Sequence, residues 1–174
     1  MTNDKLTFSV STLMEKPMAT SESYTFDAEA EFEDIKAISN VTGKVSVMKI
    51  DKGFNVITSN VDIKVAFECE RCLRDFTKEI HVPAAERQFY FTAPENIEDP
   101  ADIFLIDKKR QKIDLTDMLR QEIALHFPVI QVCSDGCKGI CHICGNNRNE
   151  KSCNCEDEHS SDHKPFAGLK DLLK

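Results

Sequence analysis

Six of the eight cysteines in this 174-residue chain crowd into its last quarter, spaced Cys133-x3-Cys137-x3-Cys141-x2-Cys144-x8-Cys153-x-Cys155. Zinc takes four thiolate or imidazole ligands at the corners of a tetrahedron. Cys141 and Cys144 bracket a C-x-x-C-G turn that aims two sulfurs the same way, and Gly145 can adopt the positive φ that folds the backbone beneath a metal. Cys153 and Cys155 return after a loop of polar turn formers, Asn146-Asn147-Arg148-Asn149. The expected zinc ligands are therefore Cys141, Cys144, Cys153 and Cys155, with Cys137 and then Cys133 as alternates or as parts of a second arrangement. His142, inside the turn, is expected to face solvent. An all-thiolate site is closed and electron-rich, which suits a structural ion and not a Lewis acid with an open position. Only Val132, Ile140 and Ile143 could build a core here, so metal binding should fold the segment.

The remaining pair, Cys69-Glu70-Arg71-Cys72, is less specific. It reads as a second zinc knuckle, as a hairpin whose thiols bind nothing, or as a redox pair. The redox reading suffers because no helix pattern follows to lower a thiol pKa. Lys108, Lys109, Arg110 and Lys112 make the densest basic run and the best candidate for touching phosphate. An ordinary solvated turn before a helix would look the same. Arg71, Arg74 and Lys78 add to that face only if folding brings them near. His159 and His163 lie in an acidic stretch with no apolar support, and His81 and His126 have no nucleophile beside them. No phosphate loop, dinucleotide glycine fingerprint or acid–base carboxylate pair is present, and no small-molecule substrate is expected.

Thirty acidic against 22 basic side chains give a net charge of −8, which opposes a general grip on nucleic acid. No run of eighteen apolar residues suggests a membrane span, and residues 1–20 lack the pattern of a secretory signal. A cytoplasmic protein is expected, in whose reducing surroundings cysteines favour metal or redox chemistry over disulfides.

The elements that must carry these residues are mostly strands. Short strands are expected at residues 5–10 and 24–27, joined by a Ser/Thr/Met-rich connection. Residues 27–38 read as a short helix through Ala28, Phe32 and Ile35, although Asp27, Glu29, Glu31 and Glu33 alternate as a strand's wet face would. Val45 and Val47 open a strand, Asp51-Lys52-Gly53 turns, residues 54–58 return, and Ser59-Asn60 turns again. Val61, Ile63, Val65 and Phe67 give the cleanest alternation in the chain. Two further strands follow, around Phe76–Ile80–Val82 and Arg87–Phe89–Phe91, then a brief one at 103–107 after an acidic loop at 93–101. A helix over 114–126 has Asp114 as N-cap, Asp117 in its first turn and Leu115, Met118, Leu119, Ile123 and Phe127 on one face, ending before Pro128. The chain closes on an acidic linker and an amphipathic segment carrying Phe166, Leu169, Leu172 and Leu173, which is expected to pack on the parent domain.

Several motifs resemble one family in order as well as in kind. Cys69-Glu70-Arg71-Cys72-Leu73-Arg74-Asp75-Phe76 resembles the C-x-R-C-L-x-x-F signature of the YceD family, the large ribosomal RNA subunit accumulation proteins. Asp114-Leu115-Thr116, continuing to Glu122, Leu125 and Pro128, is similar to that family's D-L-T…E-x-x-L-x-x-P helix. Cys137-Lys138-Gly139-Ile140-Cys141-His142-Ile143-Cys144-Gly145, with Asn147-Arg148-Asn149 beyond it, resembles the C-K-G-L-C-x-x-C-G-x-N-L-N segment of its zinc-type members. Ile140 and Arg148 stand where leucines are usual. Pro165-Phe166-Ala167-Gly168-Leu169 matches the family's ending loosely, so the resemblance runs from about Val41 onward. It implies a non-enzymatic cytoplasmic factor, or a plastid relative, supporting accumulation of large-subunit ribosomal RNA. Some members lack the C-terminal cysteines, which makes zinc an accessory of the family.

The combined expectation is an α+β protein: an antiparallel sheet domain with a few helices (1–130), a cysteine-rich zinc module (131–156), and a linker with a short amphipathic end (157–174). It would bind large-subunit ribosomal RNA precursor or a ribosomal protein. The rival is a thiol redox or zinc-dependent enzyme using Cys69 and Cys72.

Overall fold

The protein is described here by a computed structural model covering residues 6–94 and 103–155. Its elements are β1 (Thr7–Ser9), α1 (Ser11–Glu15), β2 (Ser21–Ala28), β3 (Val41–Ile50), β4 (Gly53–Glu68), β5 (Asp75–Tyr90), β6 (Phe104–Leu105), β7 (Lys112–Asp114) and α2 (Thr116–Leu125). Strands β2-β3-β4-β5-β6 make one sheet in that order, and β1-β7 make a small second sheet.

Alternation builds the large sheet. Phe54, Val56 and Thr58, then Val61, Ile63, Val65 and Phe67, are all buried on β4 and form one face. Val45 and Val47 on β3 and Ile80, Val82 and Phe89 on β5 join them. Met118, Leu119 and Ile123 of α2, Leu13 of α1 and Ile113 of β7 pack in the same core. Each such side chain contributes about 1.5–3 kcal/mol by leaving water. Among the described residues, one charged group enters this core: Glu122 of α2 is buried and ion-paired with Arg87 of β5, which ties the helix to the sheet.

Several expectations need correction. The sheet is mixed, because β6 pairs parallel with β5 at Phe89 and Tyr90. Residues 27–38 are not helical: Ala28 pairs with Val41, and Ala37 bridges Val65. Only Asp27 and Ala28 of this stretch belong to β2, and residues 29–36 are in neither helix nor strand. Ser59-Asn60 does not reverse the chain. Asn60 takes a φ of 49° as the register slips by a residue, so a bulge bends one long β4 where a turn was expected. Its two expected partners on the other side are likewise one strand, β5, within which Pro83 lies opposite the bulge. The Ser/Thr/Met-rich connection holds α1, and the brief strand expected over 103–107 shortens to β6. The helix expected over 114–126 is α2, whose N-cap position is Leu115; Asp114 still accepts the Thr116 amide at 2.9 Å.

The two ends of β5 frame the candidate site. Asp75 follows the first cysteine pair, while Tyr90 adjoins β6 and the basic hairpin. Sixteen extended residues separate these ends by about 50 Å. The acidic loop (apart from residues 93 and 94), the linker and the amphipathic end lie outside the described residues.

Candidate metal centres

The turn from β4 to β5 is a knuckle. The Cys69 amide donates to the Arg74 carbonyl at 2.9 Å, and the Leu73 amide donates to the Cys69 carbonyl at 2.8 Å. Leu73 holds a φ of 56° to close it. The same scheme recurs at the second C-x-x-C: the Cys141 amide donates to Asn146 and the Gly145 amide to Cys141, both at 2.8 Å, with Gly145 at φ 72°.

Each knuckle is completed by a different cysteine pair. The sulfurs of Cys69, Cys72, Cys133 and Cys137 lie within 4.8 Å of one another, and so do those of Cys141, Cys144, Cys153 and Cys155. Either set could hold a metal ion. The expected zinc set is thus brought together, and its two named alternates belong with Cys69 and Cys72 instead. In the first set, Cys69–Cys137 and Cys72–Cys133 are each 3.7 Å apart, sulfur to sulfur. A disulfide needs about 2.05 Å, and all eight thiols are free. Four sulfurs about 2.3 Å from one tetrahedral ion stand about 3.8 Å from each other.

The first set is buried apart from Cys133, which is half-buried, and is well supplied with donors. Cys69, Cys72 and Cys137 form a small core of their own, against which Phe76, Val132 and Cys133 pack. The Cys133 amide reaches Cys69 Sγ at 3.3 Å, Arg74 Nη2 reaches Cys133 Sγ at 3.4 Å, and Asn149 Nδ2 reaches Cys137 Sγ at 3.4 Å. Such N–H donors favour sulfur as thiolate. The second set is more open: Cys141 is buried, Cys144 is exposed, and Cys153 and Cys155 are half-buried.

Crowding splits the thiols in both sets. Burial pushes Cys69 up, but amides of Cys133, Cys72 and Arg71 outweigh it and bring the thiol down to about 6. Cys72 gains one lowering contact, the Arg74 amide, yet burial and the neighbouring sulfurs drive it to about 12. In the second set the Cys144 and Ile143 amides bring Cys141 to about 6, while the Cys144 sulfur, burial and Cys153 push Cys155 to about 12. Four sulfurs this close cannot all ionise without a cation among them.

The other candidate residues are dispersed. Arg71 and Arg74 point into the first knuckle, Arg71 Nη1 donating to the Cys137 carbonyl at 3.3 Å. Lys108, Lys109 and Arg110 sit on an exposed hairpin tip beyond the far end of β5, and Lys108 Nζ reaches Thr92 Oγ1 at 3.1 Å. Asp107 organises that tip. Its carboxylate accepts the Lys109 and Arg110 amides, both at 3.0 Å, and the Arg110 amide, then that of Lys109, holds it below its usual pKa. The fold therefore separates the basic run from Arg71 and Arg74 and makes no continuous face of them. His142 is exposed, as expected. Ile140 and Ile143 do not build a core, being exposed on the rim. Asn149 was read as a turn former, but it also accepts the Lys138 amide at 2.9 Å and holds Cys137; an asparagine spaced twelve residues after that cysteine was the available signal.

Among the described residues no helix is long and apolar enough to cross a membrane. No solved structure matches the chain. A chloroplastic protein of Arabidopsis thaliana, Large ribosomal RNA subunit accumulation protein YCED homolog 1, is 28% identical over 65 residues, covering 37% of this chain and 20% of that protein. The match thus spans about a fifth of the length of this curated relative. The family described as Large ribosomal RNA subunit accumulation protein YceD matches residues 57–173, a stretch that contains both knuckles, all eight cysteines and α2. On that match the chain belongs to the YceD family.

Proposed function

We propose that this protein is a non-enzymatic factor in the accumulation of large-subunit ribosomal RNA, acting in the cytoplasm on the assembling particle. It binds precursor RNA or a ribosomal protein, while a zinc ion at Cys141, Cys144, Cys153 and Cys155 organises the loop that those four residues span. The family match over residues 57–173 carries this reading. The local chemistry supports it: both sulfur sets are complete fours, so zinc in either would be closed and without a position for substrate.

Charge divides the work. A chain of net charge −8 grips a basic ribosomal protein over much of its surface, leaving phosphate to the Lys108, Lys109 and Arg110 tip. Arg74 donates to the Cys133 sulfur and Arg71 to the Cys137 carbonyl, so both are engaged at the knuckle before they can serve RNA.

The test is sedimentation of full-length protein with ribosomal precursors, followed by crosslinking. Co-sedimentation that weakens when Lys108, Lys109 and Arg110 are changed to Glu is the expected result. Migration free of the particles would overturn the proposal. The redox alternative predicts instead a thiol reaction abolished by Cys69→Ser, and the low pKa of Cys69 is the observation in its favour.

A further inference from the structure

Residues from two distant parts of the chain meet at the first knuckle. Cys69 and Cys137 are 68 positions apart, and Cys72 and Cys133 are 61 apart. Their sulfur spacing of 3.7 Å matches the edge of a tetrahedron about one zinc ion, about 3.8 Å. A polynuclear cluster would place several metal atoms between its ligands and spread them further. Three of its four cysteines are buried and Cys133 is half-buried, and three N–H donors aim at its sulfurs.

The backbone is built for the same junction. The Glu70 amide donates to the Gln131 carbonyl at 2.8 Å, and the Ile140 amide donates to the Arg71 carbonyl at 3.0 Å. Gly139 has a φ of 71°, and a Cβ there would stand 3.0 Å from the Arg71 carbonyl oxygen. Only glycine lets these two strands of chain approach so closely. Apart from the sulfurs, few apolar groups hold this contact: Phe76 and Val132 are half-buried, while Val129, Ile130 and Ile140 are exposed. Two half-buried apolar side chains supply little of the energy needed to join the parts.

We infer that Cys69, Cys72, Cys133 and Cys137 form a second, separate metal site for Zn2+, and that its ion clamps residues 131–155 onto the β4–β5 turn. The site at Cys141, Cys144, Cys153 and Cys155 organises only its own loop. This inference stands on the sulfur and backbone geometry and does not depend on a ribosomal role.

Native mass spectrometry of the full chain loaded with Zn2+ tests it, with hydrogen exchange at the Glu70 and Ile140 amides. Two zinc ions per chain are expected. Cys137→Ser should retain one ion and exchange those amides about tenfold faster or more. Cys153→Ser should also retain one ion but leave both amides slow. Cys137→His, which restores a ligand, should regain the second ion. Chelator titration of the unaltered chain should release zinc in two steps, a readout that needs no variant to fold. One ion per chain, one-step release, loss of both ions in either serine variant, or disulfides in place of bound zinc would each overturn the inference.

Discussion

The two knuckles share a backbone design and differ in nearly everything around it. Both return an amide from the residue after the second cysteine to the first cysteine's carbonyl, and both need positive φ there. In the second knuckle that residue is Gly145, which takes the conformation freely. In the first it is Leu73, which pays about 1–2 kcal/mol and leaves a large apolar side chain 58% exposed. The second knuckle finds its partners, Cys153 and Cys155, within the same loop; the first finds them across most of the domain. A shared local form can thus serve either to fold one loop or to join two separate pieces, depending on the origin of the other two sulfurs.

The largest test of this contrast removes a ligand from each side. Loss of a structural metal site is among the few single changes worth more than about 4 kcal/mol. Cys72→Ser should expose the peptide bonds of residues 129–137 to protease, whereas Cys144→Ser should expose only the loop of residues 145–152; fragment masses distinguish the two. Gly139→Ala comes next, at about 1–3 kcal/mol, because it forces a side chain into positive φ against the Arg71 carbonyl. A thermal melt and the Ile140 amide exchange rate would register it.

Acid acts on both knuckles. Cys69 and Cys141 have folded pKa values of about 6, below the ordinary 9, so their contribution is present above pH 9 and is lost as pH falls through 6. Cys72 and Cys155, raised to about 12, contribute below pH 9 and lose that contribution as pH rises through 12. The metal-free protein should therefore melt at its highest temperature near pH 9 and lose stability on either side, as a series of melts in chelator would show. Smallest of all, Leu73→Gly should relieve strain and raise stability by up to about 1 kcal/mol, while Gly145→Leu costs a similar amount. Equal and unchanged melting of both variants would mean that the positive φ carries no strain.

What could be read from the sequence follows how local each signal is. Cys141, Cys144, Cys153 and Cys155 could be grouped by spacing alone because one turn and one loop position them. Nothing local tells Cys72 that its neighbour is Cys133, since that contact depends on the register of β4 with β5 and the direction in which α2 ends. The core of β4 was plain from the alternation of Val61, Ile63, Val65 and Phe67. Asn60 misled because the tolerance of asparagine for positive φ serves a hairpin turn and a bulge equally well. Residues 27–38 misled because apolar groups at helical spacing competed with alternating acids, and neither pattern prevails: Asp27 and Ala28 pair with β3, Ala37 bridges β4, and the residues between follow an irregular path. The five residues of α1 are too few to show a period.

The distance in sequence between Cys72 and Cys133 also sets an order of events during synthesis. The first two thiols leave the ribosome as an unfinished pair, and at an elongation rate of about 5–20 residues per second the other two follow seconds later. During that interval the hairpin can pair while its two thiols lack their partners and stand open to oxidation. A cell short of zinc would then accumulate chains with a finished sheet and an undocked tail, a distinct species that a pulse-chase experiment could catch.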